Sequence, residues 1–495
     1  MAPSETMLES AAYRRMRAEN PAEFVPRSVF FARDGGSGID RRNSLWVKAA
    51  LVYESLTGRH VDDGAKPVAT SLLIRLADAC HARIPRDDPP PQTVASVVKK
   101  ELDDVKNELL DAKLGVPPNV AAAAGGVDVG GGENPPRKTT ADVVPDEEGS
   151  DENKRVIDAI FLVVGFLSRL SRAASGISRD AVDEGFRSTH MHDIVTDVIK
   201  LENQLPLKLL LDVVDHVEDA VRDIAAAAPA TEFEDLKECL EGYKLGFTRA
   251  TFFQDVVRPF CWYYSPFFNK QLPAAAAAAP PKDGQTDSIA DDPETGSRTL
   301  LDFLHDSVVP VVPRAASEKG AGGGKTSRMP TARELSRSGV RIAPGEDGRA
   351  AVEFDETSAR LRLPALVYDF KLATVARNLL AREYEEQSKP VTRYFQMMNE
   401  LVQEAADARI LRRAGAVRGG GTSGAEVHEL VKRINGYATY PSVFMAMDVQ
   451  IEKVRRFHDK RMQNFLVRYR PGVIWASSVA AVSVVAIVAV RRNRG

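Results

Sequence analysis

The chain has few cysteines, little net charge and no apolar run near its start, and each lack excludes a class of protein. Three cysteines occur in 495 residues, at Cys80, Cys239 and Cys261. Their wide spacing fits neither a disulfide framework nor a metal site, so we expect a reducing compartment. A net charge of −3 gives no overall basic field for nucleic acid. The polar first 20 residues lead us to expect no signal peptide.

A long uncharged hydrophobic run is present at residues 473–490. As a helix it would be about 27 Å long, close to the hydrocarbon core of a bilayer at about 30 Å. Trp475 and flanking arginines suit the two interfaces. We therefore expect a single C-terminal transmembrane helix, with the body in the cytosol and the plasma membrane favoured over internal membranes. The alternative is a helix buried in the protein core.

The rest of the sequence predicts a mainly helical body interrupted by linkers. Apolar residues at helical spacing favour an N-terminal helical segment over 1–114 and a helical core over 154–470. Residues 115–153 are rich in Gly, Ala, Pro and acidic residues and predict a disordered linker. Similar compositions predict disordered insertions near 272–297 and 313–330.

The periodicity changes to alternation near residues 340–363 and predicts one small antiparallel sheet. Short strands are expected at 340–342, 351–354 and 361–363. Asp347-Gly348 is a turn signal between the first two of these strands. Gly339 is expected to end a short helix that precedes the sheet.

The best-defined motif lies between two apolar helices, at a tight corner that ends in a proline. Helix ends leave carbonyl and N–H groups without partners, and polar side chains at such a corner can supply them. We therefore predict a structural corner. Its residues are Asp197, Leu201, Glu202, Asn203, Gln204, Leu205 and Pro206. Glu202 as a catalytic acid in an apolar setting is the alternative.

This motif, Asp-x-x-x-Leu-Glu-Asn-Gln-Leu-Pro, resembles the signature of the plant domain-of-unknown-function 247 family, also called UPF0481. Other similar segments are 157–162, 300–305, 332–340, 361–369 and 378–383. The resemblance implies a plant protein, with the linker composition favouring a grass. Members of the family are implicated in growth, defence and, in grasses, self-incompatibility, but the resemblance implies no established activity.

Two other patterns resemble ligand sites but depart from them. Lys319–Thr326 has its glycine one place late for a phosphate loop and lies in a linker. His190-x-His192 opens a helix, where residues two apart do not point together. We therefore predict no cofactor and no metal.

Two further stretches are candidates for an interaction surface. The aromatic stretch 252–268 fits either core packing or a partner surface. The second stretch is basic and precedes residue 473, where it fits either an ordinary solvated helix face or contact with anionic lipid. Its candidate lipid contacts are Lys453, Arg455, Arg456, Lys460, Arg461, Arg468 and Arg470.

These observations favour a membrane-anchored, non-enzymatic interaction or signalling protein with an unknown protein partner. They predict neither a nucleic acid nor a small-molecule substrate. Two alternatives stay open at this point: an enzyme whose site is not visible as a motif, and a soluble helical binding module.

Overall fold

The computed structural model of the chain describes residues 10–31, 38–84, 154–174, 191–228, 231–269, 293–310, 327–419, 423–436 and 441–463, apart from a few single positions. The chain divides into two compact units. The first comprises Met1–Tyr264 and Leu272–Leu304, and the second comprises Ser265–Gln271 and His305–Gly495. The predicted linker 115–153 lies outside the described residues, as do most of the insertions near 272–297 and 313–330.

The first unit is helical in its described part. Its longest helix, Leu207–Ala227, buries a continuous apolar stripe that includes Leu210, Val214, Val217 and Val221. This is the spacing that the sequence predicts for one face of a helix. The helical elements of this unit are Ala11–Glu19, Pro21–Phe24, Gly38–Thr57, Lys66–His81, Phe161–Leu167, Ser168–Ala174, Met191–Val198, Leu201–Asn203, Leu207–Ala227, Glu234–Leu236, Lys237–Glu241, Phe253–Val257, Arg258–Tyr264 and Pro293–Gly296.

The second unit contains helices and two small sheets. Its strands are β1 Arg341–Gly345, β2 Glu353–Asp355, β3 Arg360–Pro364, β4 Leu366–Val367 and β5 Val417–Arg418. Its helices are Ala332–Arg337, Leu372–Arg382, Pro390–Leu401, Ala405–Arg413, Gly424–Asn435 and Ala446–Met462. The division between the units falls within one further helix, Leu300–Val308.

The prediction of one antiparallel sheet is wrong. The order is β1-β3-β2, in which β3 pairs in parallel with β1 and antiparallel with β2. A second sheet pairs β4 and β5 in parallel. Asp347 forms a bridge with Asn269, and Asn269 fills the space beside Gly348. Residues 347–348 therefore pair with Asn269 and do not form the turn of a hairpin.

The predicted fold class also included a C-terminal transmembrane helix, and the structure contradicts this part of the prediction. None of the helices in the described ranges is both long enough and apolar enough to cross a membrane. The long ones carry charges along one face, as Leu207–Ala227 does with Asp212, Asp215 and Glu218. The segment 473–490 itself lies outside the described residues. The structure supports a mainly helical fold with two small sheets.

Candidate functional site

The predicted corner forms where helix Met191–Val198 ends and helix Leu207–Ala227 begins, with a single 3₁₀ turn at Leu201–Asn203 between them. Leu201 and Leu205 are buried and anchor the turn in the core. Pro206, in an extended conformation, is the N-cap of the second helix. The next amide, Leu207 N–H, donates to the carbonyl of Arg298 at 2.8 Å.

Two amide side chains of the corner donate to carbonyls at and just beyond the end of the first helix. Gln204 Nε2 donates to the carbonyls of Val198 and Lys200, both at 3.0 Å. Asn203 Nδ2 donates to the carbonyl of Asp197 at 3.1 Å. The free oxygen of Gln204 accepts from Leu301 N–H at 3.0 Å. The amide groups of Asn203 and Gln204 are therefore used to connect backbone segments.

Asp197 and Lys200 form a buried ion pair one helical turn apart. Lys200 Nζ lies 2.8 Å from Asp197 Oδ1, and both side chains are 0% exposed. Burying two charges is unfavourable unless further hydrogen bonds satisfy them. These hydrogen bonds come from residues 25–31, which we call the N-terminal strap, Val25–Phe31.

The carboxylate of Asp197 accepts from three consecutive amides of the strap. The N–H groups of Arg27, Ser28 and Val29 donate to it at 2.7–3.0 Å. Lys200 Nζ donates to the carbonyl of Val25 at 2.6 Å. The ion pair therefore binds the main chain of a segment about 170 positions earlier in the sequence.

The remaining strap groups are bound by residues of the motif and of helix Gly38–Thr57. Phe30 N–H donates to Ser44 Oγ at 2.9 Å, and Phe31 N–H donates to Asn203 Oδ1 at 3.0 Å. Asn203 Nδ2 also donates to the carbonyl of Val29 at 2.6 Å. Lys48 Nζ donates to the carbonyl of Phe30 and pairs with the buried Asp158.

Glu202 lies at the edge of this network. Its carboxylate pairs with Arg17 Nε at 2.5 Å, and its side chain is 13% exposed. Burial raises the pKa of Glu202, and the Arg17 guanidinium opposes that shift. Arg17 belongs to helix Ala11–Glu19, so Glu202 holds the helix that precedes the strap. This ion pair gives Glu202 a structural contact of its own.

Sequence reasoning missed the other side chains of this network, which are Ser44, Lys48, Asp158 and Lys200. Lys200 carried a signal, because an acidic and a basic residue three positions apart have a spacing common in ion pairs. Asp158 carried another, since it lies in a segment that resembles the family. Ser44 and Lys48 carried none, because nothing local marks them as partners of residue 30.

A second buried network lies in the second unit. Glu383, 0% exposed, accepts from Val391 N–H at 3.0 Å and Thr392 N–H at 2.7 Å, the first turn of helix Pro390–Leu401. His305 Nε2 lies 2.9 Å from Glu383 Oε1. Burial lowers the pKa of His305, but the nearby carboxylates of Asp306 and Glu383 outweigh burial and raise it to about 9. The imidazole is therefore a cation at neutral pH.

A buried arginine fixes the start of the helix that carries the predicted lipid contacts. Arg393 Nε lies 2.7 Å from Asp448 Oδ1, and both side chains are 0% exposed. Asp448 also accepts from Met445 N–H at 3.0 Å, which caps helix Ala446–Met462. We call this helix the basic helix.

The basic helix turns its apolar residues inward and its cations outward. Met447, Ile451, Val454 and Phe457 are buried. The five predicted lipid contacts that fall on it are exposed: Lys453, Arg455, Arg456, Lys460 and Arg461. Arg468 and Arg470 lie outside the described residues.

The aromatic stretch 252–268 contributes to the interior. Phe252, Phe260, Trp262, Tyr263, Tyr264 and Phe267 are buried. Tyr264 Oη donates to the carbonyl of Val195 at 2.7 Å, next to the motif corner. This stretch therefore packs as core and offers no aromatic patch for a partner.

Of the two sequence patterns that resemble ligand sites, only part lies within the described residues. His192 is exposed on its helix, while His190 and the stretch 319–326 lie outside the described residues. Within the described ranges, no group of three or more His, Cys, Asp or Glu side chains is placed to hold a metal ion.

A family model, domain-of-unknown-function 247, described as plant protein of unknown function, matches residues 155–490. The chain belongs to this family. The matched range contains the motif corner and Asp158. It also contains the two buried clusters of the second unit, around Glu383 and around Arg393. The strap precedes it.

One curated relative is an Arabidopsis thaliana protein named as a putative UPF0481 protein. It is 31% identical over 136 residues, which is 27% of this chain and 26% of the relative. The match thus spans about a quarter of that relative's length. No solved structure matches. The comparisons therefore show membership of the domain-of-unknown-function 247 family, and a grass origin stays a prediction.

Proposed function

We propose that this protein is a non-enzymatic interaction protein that docks on an anionic surface through the exposed face of its basic helix. The observation that carries the proposal is the charge of that face. Between Glu452 and Arg461 it presents the five cations named above and two acidic residues, Glu452 and Asp459, an excess of three positive charges.

The non-enzymatic part of the proposal is supported by how the family motif uses its polar atoms. Both oxygens of Asp197, the ammonium of Lys200 and the amides of Asn203 and Gln204 bind backbone groups. Catalysis requires groups that can reach a substrate. The most specific sequence feature of the family is thus occupied with holding the fold.

The geometry of the basic helix supports a docking role. Lys453, Arg456 and Lys460 recur at steps of three and four and therefore form one stripe. Arg456 pairs with Glu452, and Arg455 lies 3.8 Å from Asp459. Lys453 and Lys460 make no ion pair within the described residues. Ammonium groups without partners are available to an external anion.

The partner that we propose is anionic phospholipid, in a cytoplasmic leaflet. One large apolar side chain, Val449, is exposed on the basic helix one turn before Lys453, and none is exposed between Lys453 and Arg461. A protein partner usually requires apolar or aromatic residues at the centre of the interface. Anionic lipid requires only charge and contributes about 1 kcal/mol per basic residue near the surface. An acidic protein is the competing partner and an outcome of the test.

Vesicle binding of the full-length chain tests the proposal. Partition is measured on vesicles of phosphatidylcholine alone and of phosphatidylcholine with phosphatidylserine, at low and high salt. The anionic-to-neutral ratio isolates the contribution of charge. At about 1 kcal/mol per residue, K453Q/R456Q/K460Q should lower this ratio about 100-fold.

The matched control removes three exposed cations from the first unit: K208Q/R222Q/K244Q. It makes the same change in net charge and should leave the ratio within about two-fold of wild type, because those residues lie outside the proposed surface. Equal losses in both triple variants, or a wild-type ratio near one, would overturn the lipid proposal. Selective capture of an acidic protein by the wild type, without vesicle binding, would favour the competing partner.

A further inference from the structure

The N-terminal strap is bound almost entirely through its main chain. Five consecutive N–H groups, from Arg27 to Phe31, each donate to a side-chain oxygen of Asp197, Ser44 or Asn203. Three strap carbonyls accept from Lys200, Asn203 and Lys48. Side chains that satisfy successive backbone groups in this way form a binding site for a segment of main chain with the bends that the strap has at Val25, Arg27 and Ser28.

The strap adds apolar anchors to these main-chain contacts. Val29 is 0% exposed and Phe31 is 4% exposed, whereas Arg27 is exposed and Ser28 is half-buried. Just before the strap, Phe24 is buried and packs edge-on against Tyr13 at 5.6 Å. The site thus selects a peptide with apolar residues two positions apart, preceded by an aromatic residue.

The binding site cannot be left empty without a large penalty. Asp197 and Lys200 are fully buried, and their remaining hydrogen-bond partners are the amides and a carbonyl of the strap. If the strap leaves, these charges lose those partners while still buried. A departing strap is therefore best replaced by a segment that makes the same contacts.

We infer that the strap is exchangeable and that a second copy of this chain can supply it. A second copy carries the same segment, with the same main-chain groups and the same anchors. Exchange of an identical element between copies is an inexpensive route to a dimer because every contact is reproduced. The inference does not depend on the lipid proposal, since the strap and its site lie in the first unit.

Crosslinking between two differently tagged full-length copies tests the inference. Arg27 Nη1 lies 3.6 Å from Asp193 Oδ1, and both side chains are exposed enough to modify. One copy carries R27C and the other D193C, each on a C239S background, because Cys80 and Cys261 are buried. The copies are mixed, incubated at high concentration and treated with a short bis-maleimide.

Exchange predicts a covalent heterodimer linked through positions 27 and 193, with a yield at least five times that of a collision control. The control pairs R27C with R222C, an exposed position on helix Leu207–Ala227. A single chain with both R27C and D193C should link internally. A heterodimer yield no higher than that of the collision control would overturn exchange, provided that the single chain with both cysteines links internally. Failure of the internal link would overturn the placement of the strap itself.

Discussion

Replacing Asp197 by Asn perturbs the motif with little change of shape. The carboxylate accepts from three strap amides and from Lys200. The side-chain amide of Asn has one oxygen acceptor, whereas the carboxylate of Asp197 has two. Its NH₂ group would face the N–H donors of the strap or the ammonium of Lys200. Lys200, which is 0% exposed, then lacks a counter-charge. Breaking a buried pair in this way costs about 3–5 kcal/mol, a large share of the about 5–15 kcal/mol of a typical domain.

Urea unfolding of the first unit measures this loss. Trp46 and Trp262, two of the three tryptophans, lie in that unit, so with Trp475→Phe in every variant tryptophan fluorescence follows it, with circular dichroism as the second probe. The matched control is D193N, a half-buried carboxylate one turn earlier, with an expected loss of less than about 0.5 kcal/mol. The double variant D197N/K200M should lose less than the sum of its single changes, since it removes the unpaired cation. A loss below about 1 kcal/mol for D197N would refute the account of the ion pair.

Three further predictions concern the second unit. The raised pKa of His305 adds stability that is complete below about pH 6.5 and is lost as the pH rises through about 9. His305→Gln should therefore remove about 3 kcal/mol of pH-dependent stability between those limits, and a parallel pH profile in variant and wild type would contradict this. Gly339 has φ +85°, so Gly339→Ala should cost about 1 kcal/mol in thermal unfolding, and an unchanged Tm would contradict strain there. Arg393→Met leaves Asp448 buried without its cation and should cost about 3–5 kcal/mol by urea unfolding, whereas R393M/D448L should recover part of that loss.

The sequence located the motif and the helices around it because those signals are local. Apolar spacing gives the helix Leu207–Ala227, and three polar residues before a proline give the corner. The strap carries no such signal. Its contacts use backbone N–H and carbonyl groups that every residue has, and its partners lie about 170 positions away. No pattern in residues 25–31 could therefore predict them.

The sheet shows the same limit. The three predicted strands lie close to β1, β2 and β3, whereas β4 and β5 were not predicted. Buried and exposed residues alternate along β2 and most of β3, and such alternation is visible in sequence. Their pairing was wrong, because Asp347-Gly348 was read as a hairpin turn, whereas Asp347 bridges Asn269. Pairing depends on residues far apart in the chain. The membrane helix is predicted from an uncharged hydrophobic run at 473–490, which lies outside the described residues, and none of the described helices is both long enough and apolar enough to cross a membrane.

Hydrogen exchange at the strap amides tests most directly the claim that the family motif holds the main chain of the N-terminal segment. The measurement compares a peptide covering residues 25–31 in the wild-type chain and in D197N. Strong protection in the wild type, lost together at Arg27, Ser28 and Val29 in the variant, is the predicted result. Exchange in the wild type as fast as in an unstructured peptide would contradict the account.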